Sequence, residues 1–139
     1  MPKNLKFREF KTKSGTTILA GRDAESNEFL VEQCKPNEEV FHTVAVGSPF
    51  VNIKSNKPSS DEIKQAALIC AKYSKAWRDS KKDIAIHQFK GRDIYKLPLM
   101  KVGTFGVKKT KNIKIKKSEI ESFEKELDSC NVDNITRNK

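Results

Sequence analysis

An apolar stripe within residues 59–80 constrains the fold of this chain more than any other feature. Ser59 and Glu62 have the spacing of a capping box, which predicts that a helix begins here. At helical spacing, one side of residues 59–80 carries Ile63, Ala66, Cys70, Tyr73 and Trp77. A stripe of this kind typically packs on a sheet. We therefore expect one long helix whose apolar side, with Tyr73 and Trp77, lies in the core.

Alternating apolar residues and turn residues predict a sheet around this helix. The pattern opens with a hairpin and closes with a second hairpin around residues 108–111, and the short strands between them resemble a meander. The predicted strands are residues 5–12, 16–19, 40–44, 50–53, 83–89, 104–107 and 112–116. We therefore expect a mostly antiparallel sheet.

Two short helices are expected besides the long one. Asp23 can cap the first helix, at residues 23–34, and Ser118 opens a capping-box pattern at the start of the second, at residues 118–128. The fold class is therefore α+β: a single domain with a mostly antiparallel sheet packed on one long helix.

Positive charge is concentrated in one stretch of the chain. Residues 72–117 carry 15 basic and 3 acidic side chains, a net charge of +12, whereas residues 1–71 have a net charge of +1 and residues 118–139 of −3. The basic stretch also contains β-branched alternation and a Trp, which disordered basic tails lack. It therefore predicts a folded surface for a polyanionic partner, most simply a nucleic acid. A merely solvated Lys-rich surface is the alternative.

Other classes of protein fit the sequence less well. No run approaches the ~18 apolar residues of a membrane-spanning helix. The charged N-terminal residues do not resemble a secretory signal, so we expect a cytoplasmic protein without a membrane partner. Three single cysteines, Cys34, Cys70 and Cys130, lack the spacing of disulfides or zinc sites, and we expect no metal or cofactor. No acidic pair or Ser-His-Asp spacing stands out, and we expect no enzyme activity.

Four short motifs occur in an order typical of one family. They are Gly21-Arg22-Asp23-Ala24 with Asn27-Glu28, Val40-Phe41-His42, Gly47-Ser48, and Ala71-Lys72-Tyr73-Ser74-Lys75-Ala76 with Ser80-Lys81. Together they resemble the NFACT-R domain, which lies at the C-terminal end of the NFACT ribosome quality-control proteins. The resemblance covers about residues 5–117. The chain departs from the family where a second histidine is expected, because Phe50 occupies that position.

The resemblance implies an RNA-binding module that, in full-length family members, works with large ribosomal subunits and tRNA. A chain of 139 residues has no room for the family's other domains. We therefore expect a stand-alone form without peptide-tailing activity, whose missing NFACT domains a separate chain could supply. The prediction is a nucleic-acid-binding domain at residues 1–117, followed by a C-terminal helix and frayed tail at 118–139.

The predicted function is non-catalytic binding of tRNA, rRNA or the ribosome through a Lys/Arg face. Two other classes remain open. The first is a DNA-binding or nucleoid-associated basic protein, which the charge also fits, and the second is a small enzyme. A preference for structured RNA over duplex DNA at equal phosphate number would favour the RNA-binding class.

Ten residues are candidate nucleic-acid contacts. Arg22 lies at a strand-to-helix turn, where a guanidinium beside backbone N–H groups can hold a phosphate, with a salt bridge to Glu25 or Glu28 as the alternative. His42 is included because of the family resemblance, with a partly buried, hydrogen-bonded side chain as the alternative. The others need only charge density to bind phosphates, and they are Lys72, Lys75, Arg78, Lys81, Lys90, Arg92, Lys108 and Lys109.

Overall fold

A six-stranded antiparallel sheet lies at the centre of the molecule. The structure is a computed structural model that describes residues 7–137, with side chains described as far as residue 128. The strand order is β1-β2-β4-β3-β5-β8, and β6 and β7 form a separate two-stranded sheet. The strands are β1 (Arg8–Lys11), β2 (Thr17–Ala20), β3 (Glu39–Thr43), β4 (Val51–Ile53), β5 (Ile84–Lys90), β6 (Ile94–Tyr95), β7 (Gly106–Val107) and β8 (Lys111–Ile115).

Helices cover the two faces of the sheet unequally. The helices are α1 (Ala24–Gln33), α2 (Ser60–Lys72), α3 (Lys75–Ser80) and α4 (Lys117–Arg137). The last three pack on one face, where Ile69, Trp77 and Ile120 lie in the main core. On the other face, Leu30 of α1 lies in a smaller core, packed against the hairpin of β6 and β7. Because successive strand residues alternate in direction, β3 contributes to both cores.

The mixed α and β architecture with an antiparallel sheet is as predicted, but the one long helix is not. It is broken into α2 and α3 between Lys72 and Lys75. The Ser74 hydroxyl accepts a hydrogen bond from the Trp77 N–H at 3.1 Å and donates one to the Ala71 carbonyl at 2.7 Å. A serine that caps a new helix in this way competes with continuation of the old one. Trp77 nevertheless remains buried in the main core.

The predicted C-terminal hairpin is also wrong. Strand β7 pairs with β6, where Val107 lies opposite Ile94. Strand β8 pairs instead with β5, so that Ile115 lies opposite Ile84 and is fully buried. The two predicted segments, 104–107 and 112–116, therefore contain strands with shifted bounds, and each strand has a partner other than the predicted one.

The predicted first hairpin and the predicted capping residues of α1 and α2 are confirmed. The first hairpin forms from β1 and β2. The Asp23 carboxylate caps α1 by accepting a hydrogen bond from the Ser26 N–H at 2.8 Å, and Ser59 and Glu62 cap α2 reciprocally.

The C-terminal helix differs from its prediction. Helix α4 begins at Lys117, where the Glu119 carboxylate accepts from the Lys116 N–H, and it extends beyond the predicted end at residue 128. The predicted frayed tail lies mostly past residue 128, the last whose side chain is described. Within the described chain, no helix is both long and apolar enough to cross a membrane.

Candidate nucleic-acid interface

Four of the ten candidate residues surround one shallow pocket of about 350 Å³ at the α2–α3 junction. The break after Lys72 turns α3 at this point, and the pocket is lined by Tyr73 and Trp77 as well as by the cations. We call these four cations the basic cluster: Lys72, Lys75, Arg78 and Lys81. The structure thus brings together the four candidates that the sequence places closest to one another.

Aromatic rings form the floor of the basic cluster. The Lys81 ammonium lies 4.7 Å from the centroid of the Trp77 ring, and the Lys72 ammonium lies 4.8 Å from that of Tyr73. Such contacts attract a cation to the ring face. The Trp77 indole is 2% exposed and donates from Nε1 to the Glu124 carboxylate at 3.0 Å. The rings therefore support the cations and belong to the core, as predicted.

The charges of the basic cluster are neutralised only in part. Lys72 lies 3.5 Å from the Glu124 carboxylate, and the exposed Arg78 guanidinium lies 3.1 Å from its neighbour Asp79. The Arg78–Asp79 pair is exposed, so it contributes little and is screened by salt, whereas the Lys72–Glu124 pair is half-buried. Within the described residues, Lys75 and Lys81 form no salt bridge. The basic cluster therefore presents positive charge to solvent.

The loop between β3 and β4 is attached to the basic cluster. The Lys75 N–H donates to the Gly47 carbonyl at 2.7 Å. Gly47 has φ of +98°, and a Cβ at this position would lie 3.0 Å from the Lys75 Cβ. Only glycine fits both requirements without strain. The Gly47-Ser48 motif therefore positions this loop against α3.

A larger cleft of about 680 Å³ adjoins the basic cluster, and Gly47 and Tyr73 line both. Its lining comes mainly from the start of α1, the β3–β4 loop and the β6–β7 hairpin. We call it the histidine cleft, and the lining residues that matter most for its chemistry are Arg8, Arg22, His42, Phe50, His87 and Phe105.

His42 is a neutral hydrogen-bond acceptor in this cleft. Its Nδ1 lies 2.7 Å from the Thr43 carbonyl oxygen. Because a carbonyl can only accept, Nδ1 carries a proton, and Nε2 keeps its lone pair in the neutral form of the ring. Burial lowers the pKa of His42, which favours this neutral form. The centroid of its ring lies 4.5 Å from that of Phe50, with the two planes tilted by 37°, and His42 lies directly opposite His87 across the strand pair. The site thus holds a second histidine, from β5, that the candidate set omits.

The structure shows neither of the two arrangements predicted for Arg22, a phosphate site with free backbone N–H groups or a salt bridge to Glu25 or Glu28. The Arg22 and Asp23 N–H groups donate to the Ser26 hydroxyl at 2.7 and 3.0 Å, so they are not free to hold a phosphate. The Glu28 carboxylate contacts Lys96 at 3.0 Å and the Gly103 N–H at 2.6 Å instead of Arg22. Within the described residues, Arg22 forms no salt bridge. Its exposed side chain remains at the edge of the cleft.

Arg8 is a cleft residue that sequence reasoning missed. Its Nη1 donates to the Gly21 carbonyl at 2.8 Å, and its guanidinium lies 4.2 Å from the Tyr73 ring centroid. One arginine in an alternating strand carries no signal for this position, because both contacts come from distant parts of the chain. Arg8 links the histidine cleft to Tyr73 at the border of the basic cluster.

The remaining four candidates lie elsewhere. Lys90 contacts the Glu39 carboxylate at 2.7 Å, and Arg92 donates to the Asn37 side chain at 2.7 Å. The Lys108 N–H donates to the Asp93 carbonyl at 2.8 Å, which places Lys108 and the adjacent Lys109 near Arg92. This group lies past the end of β5, while Lys81 lies before its start. Strand β5 spans about 20 Å, so the ten candidates form no single cluster.

The thiols whose side chains are described are poor nucleophiles. Burial raises the pKa of Cys34 and of Cys70 to about 12, so both remain protonated near neutral pH. Among the described residues, no three His, Cys, Asp or Glu side chains come together as a possible metal site. The chemistry that this region offers is therefore charge, hydrogen bonding and aromatic contact.

Comparison with known proteins shows which family the chain resembles. A sequence model of the NFACT protein RNA binding domain matches residues 6–109. The chain is 33% identical over 76 residues to the "Rqc2 homolog RqcH" of Bacillus subtilis, covering 54% of this chain and 13% of that protein. It is 29% identical over 116 residues to the "Ribosome quality control complex subunit 2" of Schizosaccharomyces pombe, covering 77% of this chain and 11% of that protein.

A solved structure shares the fold. The C-terminal part of the fibronectin/fibrinogen-binding protein from Streptococcus suis superposes with a TM-score of 0.74 at 24% identity, covering 88% of this chain and 51% of the other. The chain spans only a small part of each curated relative, and the family match includes α1, the β3–β4 loop and the basic cluster. The chain belongs to the NFACT protein RNA binding domain family.

Proposed function

We propose that this chain binds RNA without catalysing a reaction on it, and that its RNA targets are tRNA, rRNA or the large ribosomal subunit in ribosome quality control. One observation carries the proposal: four cations of the +12 segment surround one pocket in a domain of an RNA-binding family. The aligned regions are 13% and 11% of the two relatives, so further NFACT domains, in this protein or in a separate chain, would complete the activity.

The basic cluster suits phosphates rather than bases. Lys75, Arg78 and Lys81 are exposed and sit on a short helix that is anchored by the buried Trp77. Phosphate contacts require positive charge at a fixed position but no particular hydrogen-bond pattern. An anchored group of cations meets that requirement, whereas a set of freely moving surface lysines would lose more conformational entropy on binding.

The second group of cations, at the far end of β5, would contact the same RNA. Lys90 and Arg92 lie about 20 Å from the basic cluster, at the other end of β5. An extended or structured RNA is long enough to contact both groups. Because Lys90 already pairs with Glu39, we expect this second group to contribute less to binding than the basic cluster.

Salt dependence tests the proposal most directly. If four to six phosphates are contacted, log affinity for single-stranded RNA should fall with log salt at a slope of roughly −3 to −4. Replacing Lys75 and Arg78 together by Ala should flatten that slope by about one unit or more and weaken all RNA sequences alike. A salt-independent affinity would contradict phosphate binding and would favour the alternative, in which the basic surface is merely solvated.

A matched control separates the basic cluster from net charge. Lys13 and Lys57 are exposed, and neither lines the pocket of the basic cluster. The Lys13→Ala, Lys57→Ala double variant removes the same charge and should bind RNA nearly as the parent does. Equal losses in both double variants would contradict a localised phosphate-binding surface.

Two experiments test which partner the chain binds. Binding to structured RNA should exceed binding to duplex DNA of equal phosphate number, and the reverse result would favour the DNA-binding alternative. Sedimentation of the tagged protein with large ribosomal subunits should be lost in the Lys75, Arg78 double variant. Sedimentation that is unaffected by this change would show that the ribosome is contacted through another surface.

A further inference from the structure

We propose that the histidine cleft binds a single unstacked nucleotide of the bound RNA strand. This inference rests on the proposed function, because the strand would be held by phosphate contacts to the basic cluster next to the cleft. The basic cluster supplies cations, whose phosphate contacts carry no base information. The histidine cleft supplies aromatic rings and a hydrogen-bond acceptor that can contact a base, and it adjoins the basic cluster at Gly47 and Tyr73.

The size and lining of the cleft suit a planar base. Its volume of about 680 Å³ lies within the range of about 300–1,000 Å³ typical of ligand pockets. Phe50 lines the cleft, and the His42 ring lies 4.5 Å from it at a tilt of 37°, while Phe105 packs edge-on at 5.5 Å. Exposed apolar side chains, Val46 and Val102, lie on the cleft lining, where they would cover a bound base. Aromatic and apolar walls of this kind hold unstacked bases.

His42 supplies a hydrogen-bond acceptor of defined orientation. Its Nδ1–H is used by the Thr43 carbonyl, which leaves Nε2 as the free acceptor. Within the described residues, Nε2 has no hydrogen-bond partner, although every fully buried polar side-chain atom has one. Nε2 is therefore not fully buried, and it can be reached from the cleft that His42 lines. An exocyclic amine or a ribose 2′-hydroxyl can donate to it. His87, directly opposite on β5, provides a second imidazole at the same wall.

The charges in the cleft favour the phosphate of the same nucleotide. Arg8 and Arg22 both line the cleft. The carboxylate of Asp23 lies there too, but it already accepts the Ser26 N–H at 2.8 Å. The Arg22 guanidinium forms no salt bridge within the described residues, and it can approach a phosphate with two parallel hydrogen bonds. A purely apolar ligand would leave the Arg22 guanidinium without a partner among the described residues.

Nuclear magnetic resonance of the two imidazoles tests the cleft with simple probes. Adenosine monophosphate should shift the ring signals of His42 and His87, because the base contacts that wall. Ribose 5-phosphate should shift them less than adenosine monophosphate, because it lacks the base, and inorganic phosphate should leave both signals unchanged. Unchanged histidine signals with saturating adenosine monophosphate would overturn the proposal.

A second measurement distinguishes a nucleotide within RNA from a free nucleotide. Thr104 is exposed and lines the cleft, so Thr104→Trp should block it, while Asn56→Trp adds the same side chain to an exposed loop position outside it. We expect Thr104→Trp to weaken binding of an RNA with an unpaired loop at least about fivefold, and a blunt duplex of equal phosphate number to bind as before. Asn56→Trp should bind both RNAs as the parent does.

The results separate this inference from the proposed function. Salt-dependent RNA binding that survives unchanged in Thr104→Trp would overturn the cleft inference and leave the phosphate surface intact. Adenosine monophosphate binding without any RNA binding would overturn the RNA-strand part and the proposed function together. Because the nucleotide titration uses the parent protein, it decides the matter even if Thr104→Trp fails to fold.

Discussion

The two faces of the central sheet are built from the same strands but differ in how completely they are covered. On one face, α2, α3 and α4 enclose a continuous core that contains Ile69, Trp77 and Ile86. On the other, a smaller core around Leu30 and Phe89 ends at the open histidine cleft. Closed packing stabilises the first face, whereas the incompletely covered face leaves polar groups accessible to a ligand.

The difference shows why a single strand can serve both stability and function. In β3, Phe41 is fully buried in the helix-covered core, while its neighbour His42 faces the cleft. Alternation along the strand places the two residues on opposite faces. Substitutions on the helix-covered face should therefore change mainly the free energy of unfolding, and substitutions at the cleft should change mainly binding.

The largest effect is expected for Trp77→Ala. This change removes a side chain that is 2% exposed, together with its hydrogen bond to Glu124, and should lower the free energy of unfolding by about 3–5 kcal/mol. Urea denaturation measures it. A loss within ~0.5 kcal/mol, accompanied by lost RNA affinity, would mean that Trp77 acts as a base-stacking residue instead.

The corresponding change on the other face is Leu30→Ala. Leu30 is fully buried in the smaller core, and its truncation should cost about 2–4 kcal/mol. Because α1 also forms part of the cleft wall, we expect nucleotide binding to weaken as well. A stability loss larger than that of Trp77→Ala would contradict the expectation that the helix-covered face contributes more to stability than the cleft face.

Gly47 lines both the basic cluster and the histidine cleft. Gly47→Ala should lower the free energy of unfolding by less than the two core substitutions do. Positive φ for a residue with a Cβ costs roughly 1–2 kcal/mol, and contact with Lys75 adds to that cost. Gly15→Ala is the matched control, because Gly15 has φ of +87° with no atom within 4 Å of an added Cβ. Equal destabilisation of the two variants would show that the Lys75 contact does not matter.

The last expected effect is a change in the acid sensitivity of the fold at Glu62, which joins α2 to the first hairpin. Its carboxylate accepts a 2.6 Å hydrogen bond from Ser14, and this bond is the main reason that its pKa falls to about 2. A lowered pKa in the folded state means that the stabilisation is complete above pH 4.5 and is lost as the pH falls towards 2.

Thermal unfolding between pH 7 and pH 2 measures this contribution. Glu62→Gln should flatten the fall in stability below pH 4.5, because the amide does not titrate. Glu121→Gln, at an exposed position on α4, is the matched control and should keep the acid dependence of the parent. The same acid dependence in all three proteins would contradict the assigned role of Glu62.

Local signals explain what could be predicted from the sequence. Asp23 and Ser59 identify helix starts, and alternation identifies strands, because both patterns depend on residues within one or two turns of each other. The short motifs that resemble the NFACT-R domain also lie within single segments, and the family comparison confirms the resemblance. By itself, the sequence therefore determined the mixed architecture, most elements, the family and the location of the excess positive charge.

Contacts between distant segments decided the rest. The choice of β5 rather than β7 as the partner of β8 depends on which face buries Ile115, and the use of the Arg22 N–H by Ser26 depends on the conformation of the turn. Arg8 reaches Tyr73 across 65 positions of sequence. Only the tertiary structure could separate the candidate cations into two groups and open the histidine cleft, because side-chain burial and hydrogen-bond partners are determined by packing rather than by local pattern.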